Sequence, residues 1–345
     1  MSSTLRLLAL GALAGWTAMK LLRDDRDSFS FDGKTVLITG GSRGLGLVLA
    51  RDAAAAGARV AICGRDPEAL ERARATLERI GATVVAVQAD VTQPDAVREL
   101  IDAVAARLGP IDMLINNAGV IEVGPAETMT VSDYEEAMAT NFWGMVYPTL
   151  QVLPSMRERG GGRIVNITSI GGKLGIPHLL PYSASKFAAL GFSQGLRAAV
   201  AGDDVSVTTA IPGLMRTGSP RNAIFRGKHR AEYAWFSIAD ALPGLSVSAD
   251  QASRRILSAA CRGDPEVLFP AVARLAVIAS AVAPHLTASA LTLANRLLPG
   301  APAARTGRKR GKDSQSGLSP SWLSKRGDEA ARRHNQVAPA EGSRA

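Results

Sequence analysis

Tyr182 and Lys186 stand four residues apart in Pro181-Tyr182-Ser183-Ala184-Ser185-Lys186, a stretch that runs on into Phe187-Ala188-Ala189-Leu190-Gly191-Phe192. Apart from its first few residues the segment reads as a buried helix, and residues four apart on a helix share a face. A phenolic hydroxyl and an ammonium are therefore presented together. A free phenol titrates near ~10, so acid–base work at neutral pH needs ~3 units, or about 4 kcal/mol, in favour of the phenolate. One cation at about 4 Å contributes about 4 kcal/mol at an effective dielectric of about 20. Lys186 is the right kind of group to supply it.

Ser169 precedes Tyr182 by 13 residues and closes a β-branched run, Gly162 to Ser169, where its hydroxyl can meet a substrate oxygen as charge develops. Asn141 falls inside a long helical pattern from about Val131 to Arg157, an odd interior choice on propensity alone.

These residues need a scaffold, and the chain between its ends alternates strand and helix. Strand patterns cover Lys34 to Thr39, Arg59 to Cys63, Thr83 to Asp90, Asp112 to Gly119, Gly162 to Ser169 and Val205 to Gly213. Helical patterns fall between them at Gly44 to Ala56, Pro67 to Ile80, Pro94 to Leu108, Val131 to Arg157 and Tyr182 to Val200. Strands spaced by helices imply parallel βαβ units with right-handed crossovers, hence an α/β fold with a Rossmann-like doubly wound parallel sheet. Ligands bind such sheets beyond the carboxyl ends of the strands.

The first strand end carries Thr39-Gly40-Gly41-Ser42-Arg43-Gly44-Leu45-Gly46. Gly40, Gly44 and Gly46 are spaced G-x-x-x-G-x-G, unlike the common G-x-G-x-x-G fingerprint, but glycine still permits the turn and a close approach of backbone amides to a pyrophosphate. Gly40, Ser42, Arg43, Gly44, Leu45 and Gly46 are the candidate cofactor contacts here. At the second strand end an acid would bind the ribose hydroxyls of NAD, yet Gly64 is followed by Arg65. Arg65, with Arg43, can clamp a 2′-phosphate through forked, charge-assisted hydrogen bonds, which favours NADP(H). NAD(H) remains open, because Asp66 becomes the NAD-type acid if the strand ends a residue or two later.

The glycine loop, Asn116-Asn117-Ala118-Gly119, Asn141, Ser169 and Tyr182-Ser183-Ala184-Ser185-Lys186 occur in that order, and together they resemble the short-chain dehydrogenase/reductase family over about residues 31–270. The resemblance implies an oxidoreductase that interconverts a carbonyl and a secondary alcohol by a tetrad of Asn141, Ser169, Tyr182 and Lys186, with Asn141 holding a water that passes protons to the lysine. It also implies that Asp90, beside Val91, contacts adenine and that Asn117, Ala118 and Gly119 line the cofactor. Pro212 and Gly213, with Thr217 beyond, would hold the nicotinamide carboxamide. A dimer or tetramer is the family's habit. The chemistry agrees: reduction needs a hydride from the nicotinamide, a donor to polarise the oxygen and a proton from Tyr182.

What the site acts on is less legible. Leu214 to Val247 forms a substrate lid by position, and it holds Phe225, Tyr233, Trp235 and Phe236. These aromatics either select an apolar carbonyl, such as a fatty acyl, lipid or steroid-like one, or pack the lid onto the domain. Arg216, Arg221, Arg226, Lys228 and Arg230 either attract an anionic carrier or are solvated, and His178 either touches substrate or is incidental.

The ends differ in character. Of the formal charge of +9 over 345 residues, residues 301–345 carry ten Lys/Arg against four acids, so the basicity belongs mostly to a Gly/Ser/Pro-rich tail that composition predicts to be disordered. Such a tail gives nonspecific attraction to nucleic acid or anionic membrane at best, so no specific nucleic-acid partner is expected. A non-catalytic nucleotide-binding protein would share the fold, yet all four tetrad residues are present. At the other end, residues 1–28 include an apolar run from Leu5 to Leu22, short for a span of ~20 residues, and read as a membrane anchor, an interfacial helix or an ordinary docked helix. Residues 271–300 read as a pair of apolar helices broken at Pro284, lying on a bilayer or covering the core. Cys63 and Cys261 are far apart, with no CxxC or Cys/His cluster, which disfavours a disulfide framework or a zinc site and suits a reducing, cytoplasmic compartment.

Overall fold

A computed structural model describes residues 29–242, 244–302, 307–317 and 325–337. Seven parallel strands form the central sheet: β1 (Thr35–Thr39), β2 (Arg59–Gly64), β3 (Val84–Gln88), β4 (Met113–Asn116), β5 (Gly162–Ile167), β6 (Val205–Pro212) and β7 (Glu266–Phe269). Their order is β7-β6-β5-β4-β1-β2-β3, so the winding reverses between β1 and β4. Apolar, β-branched runs suit strands covered on both faces, and every residue of β1, β4 and β6 is buried.

Helices α1 (Gly44–Ala55) and α2 (Pro67–Glu78) pack on one face, whose core joins Leu49, Ile38, Leu77 and Ile256. The other face is covered by α3 (Pro94–Leu108) and later helices, around Leu100, Leu114, Val152 and Ile164. Local chemistry sets the boundaries: Asp66 caps α2 by accepting from the Ala69 amide at 3.0 Å, and Pro67 and Pro94 occupy first-turn positions where no amide partner is lost.

The long helical pattern after Thr130 is not uniform. It divides into α4 (Val131–Met138), a π-helical turn (Ala139–Trp143) and α5 (Gly144–Glu158). The π turn inserts one extra residue and thereby redirects Asn141, a feature 3.6-residue periodicity does not encode. Helix α6 (Leu180–Ala199) follows the turn after β5.

Regular structure also continues beyond β6. The segment expected to be a loop lid contains a short parallel pair, Leu214–Arg216 with Ser246–Ser248, and a helix, α7 (His229–Ala241). Helix α8 (Ala249–Cys261) then leads to β7. Helices α9 (Ala271–Val282) and α10 (Pro284–Leu297) follow, with Pro284 opening the second helix.

Two stretches of the basic tail, 307–317 and 325–337, hold regular structure. Lys309–Arg310 pairs with Ile224–Phe225, and α11 (Lys325–Arg333) lies on the lid with Ala331 and His334 buried. These stretches are held by specific polar contacts to the domain, which a count of apolar residues does not register. The expected N-terminal anchor, residues 1–28, lies outside the described residues. Among the described residues no helix is long and apolar enough to cross a membrane.

Candidate active site

The carboxyl ends of β1, β4, β5 and β6 surround a cavity of about 450 Å³ lined by Leu45, Asn117, Asn141, Ser169, Tyr182 and Lys186, among others. Three local devices bring the four tetrad candidates there. Ser169 caps the 3-10 turn that follows β5, its hydroxyl accepting from the Gly171 amide at 3.1 Å. Tyr182 and Lys186 project from the first turns of α6. Asn141, turned inward by the π-helical segment, accepts from the Val120 amide at 2.9 Å and donates to the Val120 carbonyl at 3.0 Å and to the Ser185 hydroxyl at 2.9 Å.

Gly119 lets these groups converge. A side chain there would stand 2.9 Å from Asn141 Oδ1 and 3.7 Å from Lys186 Nζ. Lys186 is buried and donates to the Ile167 carbonyl at 3.0 Å. Burial pushes its pKa down to about 8. The phenol does not titrate low as expected from the sequence: burial pushes the Tyr182 pKa up, and a hydrogen bond with Ser169 opposes it. The ammonium stands 5.8 Å from the Tyr182 ring centroid, and desolvation is the larger influence on the phenol.

The glycine loop is held from behind by β4. Thr39 Oγ1 accepts from the amides of Asn117 and Ala118 at 3.0 and 3.1 Å, while Asn117 Nδ2 donates to the carbonyls of Thr39 and Gly40 at 3.0 and 3.2 Å. Gly40 has φ 65°, and a side chain at Gly46 would run into the Gly40 carbonyl, so glycine is required by both conformation and space. This cradle fits a dinucleotide phosphate: Gly44, Leu45 and Gly46 open α1, where helical amides lack internal partners.

Beyond β2 the register is settled. Gly64 ends the strand, Arg65 follows, and Asp66 is committed to capping α2. The Arg43 pKa is pushed down mainly by burial, helped by Arg310, Arg65 and Arg72 and opposed by Asp66. Four guanidiniums therefore share one neighbourhood, of which Arg72 and Arg310 escaped the sequence reading because a helix and the tail bring them in. Asp90 lies 3.9 Å from Arg65 and accepts from the Thr92 amide at 3.0 Å, and the adjacent Val91 is buried against Gly144. Ser42 is buried in the loop.

On the far side, Pro212 ends β6, the Gly213 amide donates to the Phe269 carbonyl at 2.7 Å, and Thr217 accepts from the Ser219 amide at 3.2 Å. Pro212, Gly213 and Thr217 all line the cavity. The lid aromatics divide: Phe225 and Tyr233 pack inside the lid, whereas Trp235 and Phe236 reach the cavity wall. Two lid cations are already used, Arg226 by Asp133 at 2.8 Å and Arg216 by Ser246. His178 is buried with φ 61°, and its Nδ1 meets both oxygens of Glu232 at 3.0 and 2.9 Å. Glu232 also accepts from Trp235 Nε1 at 2.7 Å. This buried polar cluster ties α7 to the loop before α6, and nothing in the sequence marked Glu232.

Such a sheet, with a glycine loop at β1 and a polar cluster where the winding reverses, defines a doubly wound α/β protein of the dinucleotide-binding class. The profile of the family described as short chain dehydrogenase matches residues 34–224. The chain belongs to that family, and it is accordingly an NAD(P)-dependent oxidoreductase acting on CH–OH groups. It is 34% identical over 260 residues to the dehydrogenase/reductase SDR family protein 7-like of Anopheles gambiae, covering 74% of this chain and 80% of that one. A putative ketoacyl reductase of Streptomyces coelicolor is 37% identical over 188 residues, 54% of this chain and 72% of the relative. The structure of a gluconate 5-dehydrogenase from Burkholderia cenocepacia in complex with NADP and tartrate superposes with a TM-score of 0.63 at 29% identity, covering 72% of this chain and 98% of that one.

Proposed function

We propose that the protein interconverts an apolar ketone and its secondary alcohol with NADP(H) as the hydride carrier. The observation that carries the cofactor choice is that Arg65 directly follows β2, near Arg43 of the glycine loop, with Asp66 withdrawn into a helix cap. A 2′-phosphate would offset the repulsion among these cations. That the Burkholderia relative is in complex with NADP supports the same reading.

Held by Pro212, Gly213 and Thr217, a nicotinamide would supply or accept the hydride. Tyr182 holds the proton at its Oη and delivers it to the developing alkoxide. Ser169 hydrogen-bonds that oxygen, and Lys186 contributes the positive field that makes release of the proton easier. Asn141 positions the Val120 turn and α6 together through its three hydrogen bonds. Val120, Ile121, Leu179, Trp235 and Phe236 offer an apolar wall, which supports a lipid, fatty acyl or steroid-like substrate over a sugar acid. Internal use of Arg216 and Arg226 argues against a large anionic carrier. The reading extends to the membrane surface, because α9 and α10 leave Leu275, Ile278, Val282, Leu286, Leu293 and Leu297 exposed.

The test is a parallel fluorescence titration with NADPH and NADH, repeated on Arg65→Ala. The expected result is NADPH preference that falls about tenfold or more in the variant, the size of one charge-assisted pair of about 1.5 kcal/mol or more. NADH binding as tight as NADPH binding, with no effect of the substitution, would refute the 2′-phosphate site.

A further inference from the structure

The C-terminal segment is seated on the same glycine loop that the proposed cofactor needs. The first amide of α1, Gly44, donates to the His334 carbonyl at 2.8 Å. Asn335, in the left-handed region at φ 57°, donates to the Ser42 carbonyl at 2.7 Å and the Ala69 carbonyl at 3.0 Å, and accepts from Arg72 Nε at 3.0 Å. Gln336 lines the cavity, with its Nε2 2.7 Å from the point a Gly44 side chain would occupy, and is hydrogen-bonded to Asn222. Ala331 packs against Gly218, a glycine with φ 78° that leaves no room for a side chain. His334 is buried, and its amide closes the last turn onto the Ala330 carbonyl at 2.9 Å.

These contacts are built rather than incidental. Side chain, backbone and left-handed turn all converge on one loop, and they consume the groups that matter to an anion. The amide of Gly44 has one hydrogen to give, and a helix N-terminus favours negative charge over a neutral carbonyl. Arg72, one of the four clustered guanidiniums, is likewise bonded to Asn335. A dinucleotide pyrophosphate and residues 334–336 cannot both take the Gly44 amide.

We propose that residues 325–337 form an intramolecular strap that competes with the dinucleotide for the glycine loop, so that cofactor binding releases the strap. This rests on the dinucleotide reading of that loop. In the free enzyme the strap satisfies the otherwise open Gly44 amide, and apparent cofactor affinity is lowered by the fraction of molecules in which the strap is docked. The segment tethering it, from Gly317 to Lys325, is short enough to keep its local concentration high.

The experiment compares NADPH and NADH titrations of the full chain, a variant ending after Gly317, and the full-length double variant Asn335→Ala/Gln336→Ala. In parallel, tryptic cleavage at Arg332 and Arg333 of the full chain is followed with and without saturating NADPH. Competition predicts a Kd for NADPH at least tenfold lower in both variants and cleavage that is faster with cofactor. The double variant retains the whole chain, so it reads the strap even where truncation impairs folding. Equal or weaker binding in the double variant, or cleavage slowed by NADPH, overturns the strap and makes residues 334–336 part of the cofactor's bed. Failure of every form to bind either dinucleotide overturns the cofactor reading itself, and the strap proposal with it.

Discussion

At the scale of single residues, the chemistry turns on how far burial works against the pair that the helix brings together. Desolvation lowers the Lys186 pKa to about 8 and raises that of Tyr182, so each group is pushed towards its neutral form. Lys186 is an ammonium below about pH 8 and neutral above it. Carbonyl reduction, which needs Tyr182 protonated and the positive field beside it, is therefore expected to run at full kcat/KM below that pH and to fall as pH rises through it. In Lys186→Met the same assay should show a rate lower by about 10²-fold, the lower end of what positioned proton transfer contributes, with the limb near pH 8 gone. A wild-type profile flat from pH 6.5 to 9.5 would show that Lys186 does not set the limb. The sequence made this pair visible but not its electrostatics, because spacing along a helix says nothing of burial or of the Ile167 carbonyl that takes a hydrogen bond from the ammonium.

At the scale of elements, two helices owe their placement to polar groups buried beside the cavity. The π-helical turn gives Asn141 its three hydrogen bonds, which join α6 to the loop after β4. Helix α7 depends on Glu232, fully buried and bonded to His178 and Trp235. Glu232→Ala leaves both partners without their acceptor inside the lid. We expect a loss of about 1–3 kcal/mol in urea unfolding, the usual cost of orphaned buried polar groups, together with a raised KM because Trp235 lines the cavity. Unchanged stability and KM would mean that the aromatic cluster of Phe225, Tyr233 and Phe236 holds the lid unaided. His178, an isolated histidine by sequence, thus acts through the lid, while Arg226 serves Asp133 in α4.

At the scale of the whole molecule, the C-terminal third changes the surface more than the core. From Val267 to Lys312 the chain carries seven Lys/Arg and no Asp or Glu, and within that stretch α9 and α10 expose seven large aliphatic side chains. Val272, Ala273 and Ala276 of α9 also line the cavity, so the proposed membrane surface and the proposed substrate site share one helix. Val282→Asp/Leu286→Asp/Leu293→Asp is expected to reduce flotation with vesicles containing anionic lipid by about tenfold or more, since each buried aliphatic side chain contributes about 1.5–3 kcal/mol. Flotation equal to that of the unsubstituted protein would remove these helices as the membrane surface.

The alternation of strands and helices through α6 and β6, the glycine loop, and the order of Asn141, Ser169, Tyr182 and Lys186 are legible along the chain alone. These are local properties: periodicity, turn chemistry and spacing act over a few residues and survive in a one-dimensional reading. Packing in three dimensions turned Asn141 inward on a π turn, made Asp66 the cap of α2 with Arg65 directly after β2, and joined Glu232 of the lid helix to His178. It also brought residues 334–336, nearly three hundred positions away, onto Ser42 and Gly44. Contacts between segments so distant in the chain depend on the packing of whole elements, and polar docking through backbone groups leaves almost no trace in composition.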